Sequence, residues 1–204
     1  MRKGITGLET AIILIAFVIV ASVFSFAVLN MGLLTTQKAS STVESGMKQA
    51  SSAIQLSGSV IAYDNNTKGI DNATGKVERI DIYIKLAPGH EPIDTSDGNL
   101  VISFTNSRVH VADTRAIKNS NVSGDLVNAT TLEWVTGDGD DLLEFGETLL
   151  IKIDLSAIEY DGEHSGALLG PNEWFKVEIK PPVGAILSVE RTIPAAIETV
   201  MDLG

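Results

Sequence analysis

The spacing of apolar residues along the chain changes twice. From Thr10 to Gln37 there is no spacing at all: residues such as Ala11-Ile12-Ile13-Leu14-Ile15-Ala16-Phe17-Val18-Ile19-Val20 are apolar in every direction, and none in the stretch is charged. As a helix at about 1.5 Å per residue it reaches roughly 42 Å. A bilayer core of about 30 Å needs only about 20 such residues. No face of this helix is built to meet water, so lipid or protein has to surround it. From Lys38 onward the apolar positions narrow to one stripe, Val43, Met47, Ala50 and Ile54. That spacing predicts a helix continuing to Leu56 and ending at Leu56-Ser57-Gly58.

After Gly58 the period becomes two. Arg79–Leu86 alternates, with Ile80, Ile82, Ile84 and Leu86 on one side, and Leu149–Leu155 and Trp174–Ile179 alternate likewise. Shorter candidates are Val60–Tyr63, Leu100–Phe104, Arg108–Val111, Thr131–Val135 and Ala185–Arg191. Turn residues such as Pro88-Gly89, Asp97-Gly98, Asp138-Gly139 and Pro181-Pro182-Val183-Gly184 separate them. Short alternating strands without helical crossovers predict an antiparallel β-sandwich, Ig-like in topology. The fold class expected is therefore α+β: one long N-terminal hydrophobic helix, then a β-sandwich head.

Composition narrows the chemistry. The chain has no cysteine, which excludes disulfides and thiol catalysis. From Gly58 onward it carries 24 acidic and 11 basic residues. So acidic a head argues against nucleic acid as a partner and suits a solvated outer surface. His90, His110 and His164 are scattered, and no His-Glu-x-x-His helix, Gly-x-Ser-x-Gly elbow or phosphate-binding Gly-rich loop is present. No enzyme activity is expected.

Met1 to Glu9 decides what kind of apolar segment follows. Arg2 and Lys3 give a positive start, but the apolar run exceeds the roughly 7–15 residues of a secretory signal and no Ala-x-Ala site follows it. A plain membrane anchor with Arg2 and Lys3 on the cytoplasmic side is one reading. Glu9, at the threshold of the run, sits either at headgroup level near a helix N-terminus or in an apolar setting, where it needs a partner.

Arg2-Lys3-Gly4, then Ile5-Thr6-Gly7-Leu8-Glu9 and a long apolar helix, resembles the class III signal of type IV pilins and, more closely, of archaellins, the archaeal flagellins. Thr35-Thr36-Gln37-Lys38 and the closing Val189–Leu203 are similar to that family too. The resemblance implies that a prepilin-type signal peptidase cuts between Gly4 and Ile5, leaving Glu9 fifth in the mature chain. It also implies residues 1–4 as cleaved signal, 5–57 as filament-core helix and 58–204 as head. The function implied is a structural subunit of the archaellum filament for swimming. Its precursor would sit in the cytoplasmic membrane before assembly into an extracellular homopolymer, alone or with related archaellins, by separate assembly and motor machinery. An archaeal adhesive pilin and a membrane-anchored extracellular binding module are the alternatives.

Two further features carry candidate chemistry. Asp138, Asp140, Asp141, Glu144 and Glu147 crowd a Gly-containing loop. Such a group suits a hard cation such as Ca²⁺, although the spacing is not that of an EF-hand; a solvated acidic turn is the alternative. Asn65, Asn72, Asn121 and Asn128 each begin an Asn-x-Ser/Thr sequon, and archaellin-like proteins are commonly glycosylated at such sites.

Overall fold

The computed structural model describes residues 3–51, 54–64, 75–120 and 126–204. The chain divides into two units, Met1–Met47 and Lys48–Gly204.

The described residues of the first unit belong to helix α1 (Lys3–Ser51). Between Gly7 and Glu44 every side chain is exposed. Hydroxyls fold back on the helix itself: Ser22 Oγ donates to Ile19 O (2.8 Å), Thr35 Oγ1 to Met31 O (2.8 Å), Thr36 Oγ1 to Gly32 O (2.9 Å) and Thr42 Oγ1 to Lys38 O (2.8 Å). Hydrogen-bonded in this way, these polar groups need no water. At these positions the hydroxyl is turned back on the helix and needs no partner outside it.

The second unit is a sandwich of two antiparallel sheets. The first combines β1 (Ile54–Leu56), β2 (Ile61–Tyr63), β3 (Arg79–Leu86), β9 (Thr130–Thr136), β11 (Thr148–Asp154) and β14 (Val200–Asp202) in the order β14-β2-β3-β11-β9, with β1 also on β3. The second combines β5 (Val101–Asn106), β6 (His110–Val111), β12 (Trp174–Lys180) and β13 (Leu187–Thr192) in the order β13-β12-β5-β6. Two small ribbons, β4 (Ile93–Asp94) with β10 (Leu142–Leu143) and β7 (Lys118–Ser120) with β8 (Leu126–Asn128), complete it.

Alternation fixes which side of each sheet is dry. Ile80, Ile82 and Ile84 of β3 lie opposite Ile153, Ile151 and Leu149 of β11, and all six are buried. In the second sheet Val177 and Ile179 face Phe104 and Ile102. These side chains share one core cluster with the first sheet, and within it the Phe104 and Phe175 rings lie 6.5 Å apart at 21°. Cross-strand apolar pairs of this kind pin the register, because a one-residue slip would turn every one of them outward.

Each of the eight expected strand segments is present. The helix, however, does not run to Leu56. Ile54–Leu56 is strand β1, paired to Leu86–Ile84, with Ile54 buried. Pairing to an open edge of β3 outweighs the helical spacing of those residues. At the other end of β11 the strand also stops earlier than expected. Leu155 opens the short helix α2 (Leu155–Glu159), because the Asp154 carboxylate accepts the N–H groups of Ser156 (2.9 Å) and Ala157 (3.1 Å).

Candidate assembly helix and head-domain sites

Gly4 and Ile5 lie in the first turn of α1, and Glu9 follows one turn later. Four residues of helix advance about 6 Å, and side chains tilt toward the N-terminus. A carboxylate at position 9 therefore projects back along the helix toward position 5. Beyond Glu9 the next ionisable residue is Lys38. Among the exposed side chains between them are Phe17, Phe24, Phe26 and Met31. So large an apolar surface marks a contact region. The helix is long and apolar enough to cross a membrane by length and composition.

In the acidic loop the carboxylates are turned to backbone N–H groups. Glu147 bridges the loop, its Oε1 accepting the Asp138 N–H at 3.2 Å and its Oε2 the Glu144 N–H at 2.9 Å. Asp138 Oδ1 accepts from Asp140 N–H (3.2 Å), and Asp140 Oδ1 from Leu142 N–H (2.8 Å). The backbone carbonyl of Asp141 receives both the N–H and the hydroxyl of Thr95 at 2.8 Å. These are turn-making contacts. Among the described residues no group of three or more His, Asp or Glu side chains is arranged to hold a metal ion. Asp138, Asp140, Asp141, Glu144 and Glu147 share a loop without being gathered round one point.

Of the expected glycan acceptors, Asn65, Asn72 and Asn121 lie outside the described residues, and Asn128 is exposed at the end of β8. Two of the three histidines make local side-chain contacts. His110 Nδ1 meets Thr105 Oγ1 at 2.7 Å, and the His164 ring pairs with Asp161. Trp134 is half-buried against the core, its indole close enough to Gly137 that a Cβ there would stand 2.9 Å from Trp134 Cε3. Trp174 is exposed.

Two charged arrangements were not legible in the sequence. Arg108 grips Glu173 with both ends of its guanidinium and also donates to Gly166 O (Nε, 3.0 Å) and Leu168 O (Nη2, 2.6 Å). The hydrogen bonds from Arg108 hold the Glu173 carboxyl below the ordinary carboxylate range, against its partial burial. Asp81 has the opposite fate. It points out of the first sheet yet is only 4 % exposed, and burial raises its pKa despite Arg79 and Lys152 nearby.

The family to which these features point is settled by comparison with known proteins. A family model described as archaeal-type flagellin matches residues 4–191. The chain belongs to the archaeal-type flagellin family. It is 37 % identical over 211 residues to "Probable flagellin 1" of Aeropyrum pernix, covering 97 % of this chain and 95 % of that one. It is also 37 % identical over 200 residues to "Probable flagellin 2" of Archaeoglobus fulgidus, covering 95 % and 90 %. Among solved structures, a chain of the archaeal flagellum of Methanospirillum hungatei matches this archaellin with a TM-score of 0.66 and 27 % identity, over 97 % of this chain and 99 % of that one. The crystal structure of flagellin FlaB1 from Methanocaldococcus jannaschii shares the fold, with a TM-score of 0.54 at 18 % identity over 74 % and 96 %.

Proposed function

We infer that this archaellin is a structural subunit of an extracellular archaellum filament, polymerised through α1 and used for swimming. The observation that carries the reading is the uninterrupted exposure of α1: from Leu8 to Val43 the large apolar side chains all face outward. Water cannot be their final surrounding. Copies of the same helix supply a surface of matching chemistry, and a contact that joins different patches of successive copies propagates as a filament without closing. The acidic head remains in solvent and resists non-specific association. Catalysis by this chain has no place in the scheme.

The precursor sits in the cytoplasmic membrane through α1 until a prepilin-type peptidase cuts after Gly4. The cut frees an α-amino group on Ile5, with an ordinary pKa of about 7.7–8.0. One helical turn away, Glu9 can neutralise it, within a subunit or from a neighbour, so that neither charge is left alone among apolar helices. Assembly and rotation come from separate assembly and motor proteins. The test is a deletion of this chain's gene: surface filaments and swimming should both be lost and return together on complementation. Filaments and swimming of normal extent in the deletion strain would overturn the reading.

A further inference from the structure

The two outward faces of the head differ in chemistry. On the second sheet, Lys176 and Glu178 of β12 pair with each other and stand between Thr105 and Ser103 of β5 and Glu190 and Ser188 of β13. The middle of that face is polar. On the first sheet, Tyr83 of β3 lies opposite Leu150 of β11, and Ile61 and Tyr63 of β2 stand beside Asp81 and Arg79. Ile61 and both tyrosines are half-buried, and Leu150 is buried although it points away from the core. Cations border this apolar band. Arg79 stacks on Tyr63, Lys152 lies opposite Asp81, and Lys85 is exposed with Thr148 and Gln55 as its cross-strand neighbours. The carboxylates of the face are already engaged. Asp81 pairs with Arg79 and Glu133 with Lys152, Asp154 caps α2, and Asp202 accepts the Gly204 N–H.

A surface of opposite charge lies at one end of the same sheet. The chain leaves the sheet at Thr136 and rejoins it at Thr148, its cross-strand neighbour. In this tip Phe145 and Gly146 form the corner of a turn closed by the Glu147 N–H on Glu144 O (3.3 Å), with Gly146 at φ 95°. The Glu147 carboxylate braces the turn by accepting the Asp138 and Glu144 N–H groups. A fixed turn therefore presents Phe145 at 69 % exposure and Leu142 at 39 %. The side chains of Asp138, Asp140 and Glu144 in the same tip are exposed too. We propose that Phe145 of one head seats on the Tyr83–Leu150 band of the next copy, with Asp140 and Glu144 of the tip beside Lys85 and Lys152 of the receiving sheet. The contact rests on the reading of the chain as a filament subunit and adds a junction between heads to the one through α1. Tip and band are different parts of one head, so every copy offers both and the contact passes along without closing. Burial of apolar and aromatic surface supplies the attraction, and the opposed charges fix the orientation. The polar face of the second sheet is left to solvent.

The test uses the full chain, expressed in its host in place of the parent gene. Having no cysteine, it accepts introduced pairs. One variant carries Glu144→Cys with Thr131→Cys, the latter on the outward face of the first sheet opposite Lys152. The other carries Glu144→Cys with Ser188→Cys, on the outward face of the second sheet. Sheared filaments are treated with a short bismaleimide and run on a denaturing gel. The first pair should give a ladder of covalent multimers and the second pair none. Phe145→Ala removes an exposed side chain, so the head's melting temperature should not move, while filament yield should fall at least about tenfold. A parent chain that forms no filaments overturns the subunit reading and this contact with it. With parent filaments intact, normal filament yield from Phe145→Ala overturns the contact alone. So do filaments of the first cysteine pair that give no ladder, or ladders of equal strength from both pairs.

Discussion

Arg79 places its Nε 3.1 Å from Asp81 Oδ1 while its guanidinium lies 4.0 Å from the centre of the Tyr63 ring. The stacked cation roofs a carboxylate that the sheet has removed from water. Burial nevertheless outweighs the attraction, and the folded-state pKa of Asp81 is raised. Proton binding is then tighter in the folded state than in the unfolded one. The stability this provides is complete below the ordinary carboxylate pKa and is lost as pH rises through the raised value. Asp81→Asn cannot ionise and loses nothing over that range. In thermal melts from pH 3 to 7, the variant should gain on the parent as pH rises; a constant difference between the two curves would contradict this.

Glu173 titrates with the opposite sign. Its folded-state pKa is lowered, mainly by Arg108. The stability it contributes is present above the ordinary carboxylate pKa and disappears as pH falls through the lowered one. Because the pair is partly exposed, Glu173→Gln should cost only about 1 kcal/mol at pH 7. That deficit should shrink toward zero in acid, and denaturant titrations at pH 7 and pH 3 measure both values. An unchanged deficit at pH 3 would show that the ion pair is not its source.

In the acidic loop, the carboxylates of Glu147, Asp138 and Asp140 already accept backbone N–H groups. Removing divalent cations with EDTA should therefore leave the head's melting temperature unchanged. Glu147→Ala should lower it, since two backbone donors lose their acceptor at about 0.5–1.5 kcal/mol each. A fall in melting temperature on chelation, reversed by Ca²⁺, would favour the cation reading over the acidic turn.

The limits of what the sequence revealed follow from range of interaction. β3 and β11 were legible because their apolar residues at two-residue spacing, Ile80, Ile82, Ile84 and Leu86 and then Leu149, Ile151 and Ile153, are all buried, with Asp81 and Leu150 buried between them in addition. Ile54 was not, since it stands four residues after Ala50 and only its pairing with Leu86, far along the chain, makes it a strand. Leu155 continued the two-residue period of β11, although Asp154 followed by Ser156 carried a capping signal for α2. The loop carboxylates were visible as a cluster; their direction, toward backbone N–H groups, is a property of the folded turn. α1 needed no tertiary information, because its composition alone excludes water.

Glu9 is the one ionisable group between Gly7 and Gln37. Glu9→Ala should leave membrane insertion of the precursor intact, since the apolar run is untouched. It should cut filament yield more than tenfold, because an α-amino group left buried and unpaired costs about 3–5 kcal/mol per subunit. Fractionation measures the first and electron microscopy of shed filaments the second. Filaments of normal number and length from the variant would remove Glu9 from assembly.

Sheared surface filaments, purified and sequenced from the N-terminus, test the whole account. Fibres built of this chain, beginning Ile5-Thr6-Gly7-Leu8-Glu9, are the expected result. Fibres lacking the chain, with the polypeptide held instead in the membrane and still starting at Met1, would contradict it.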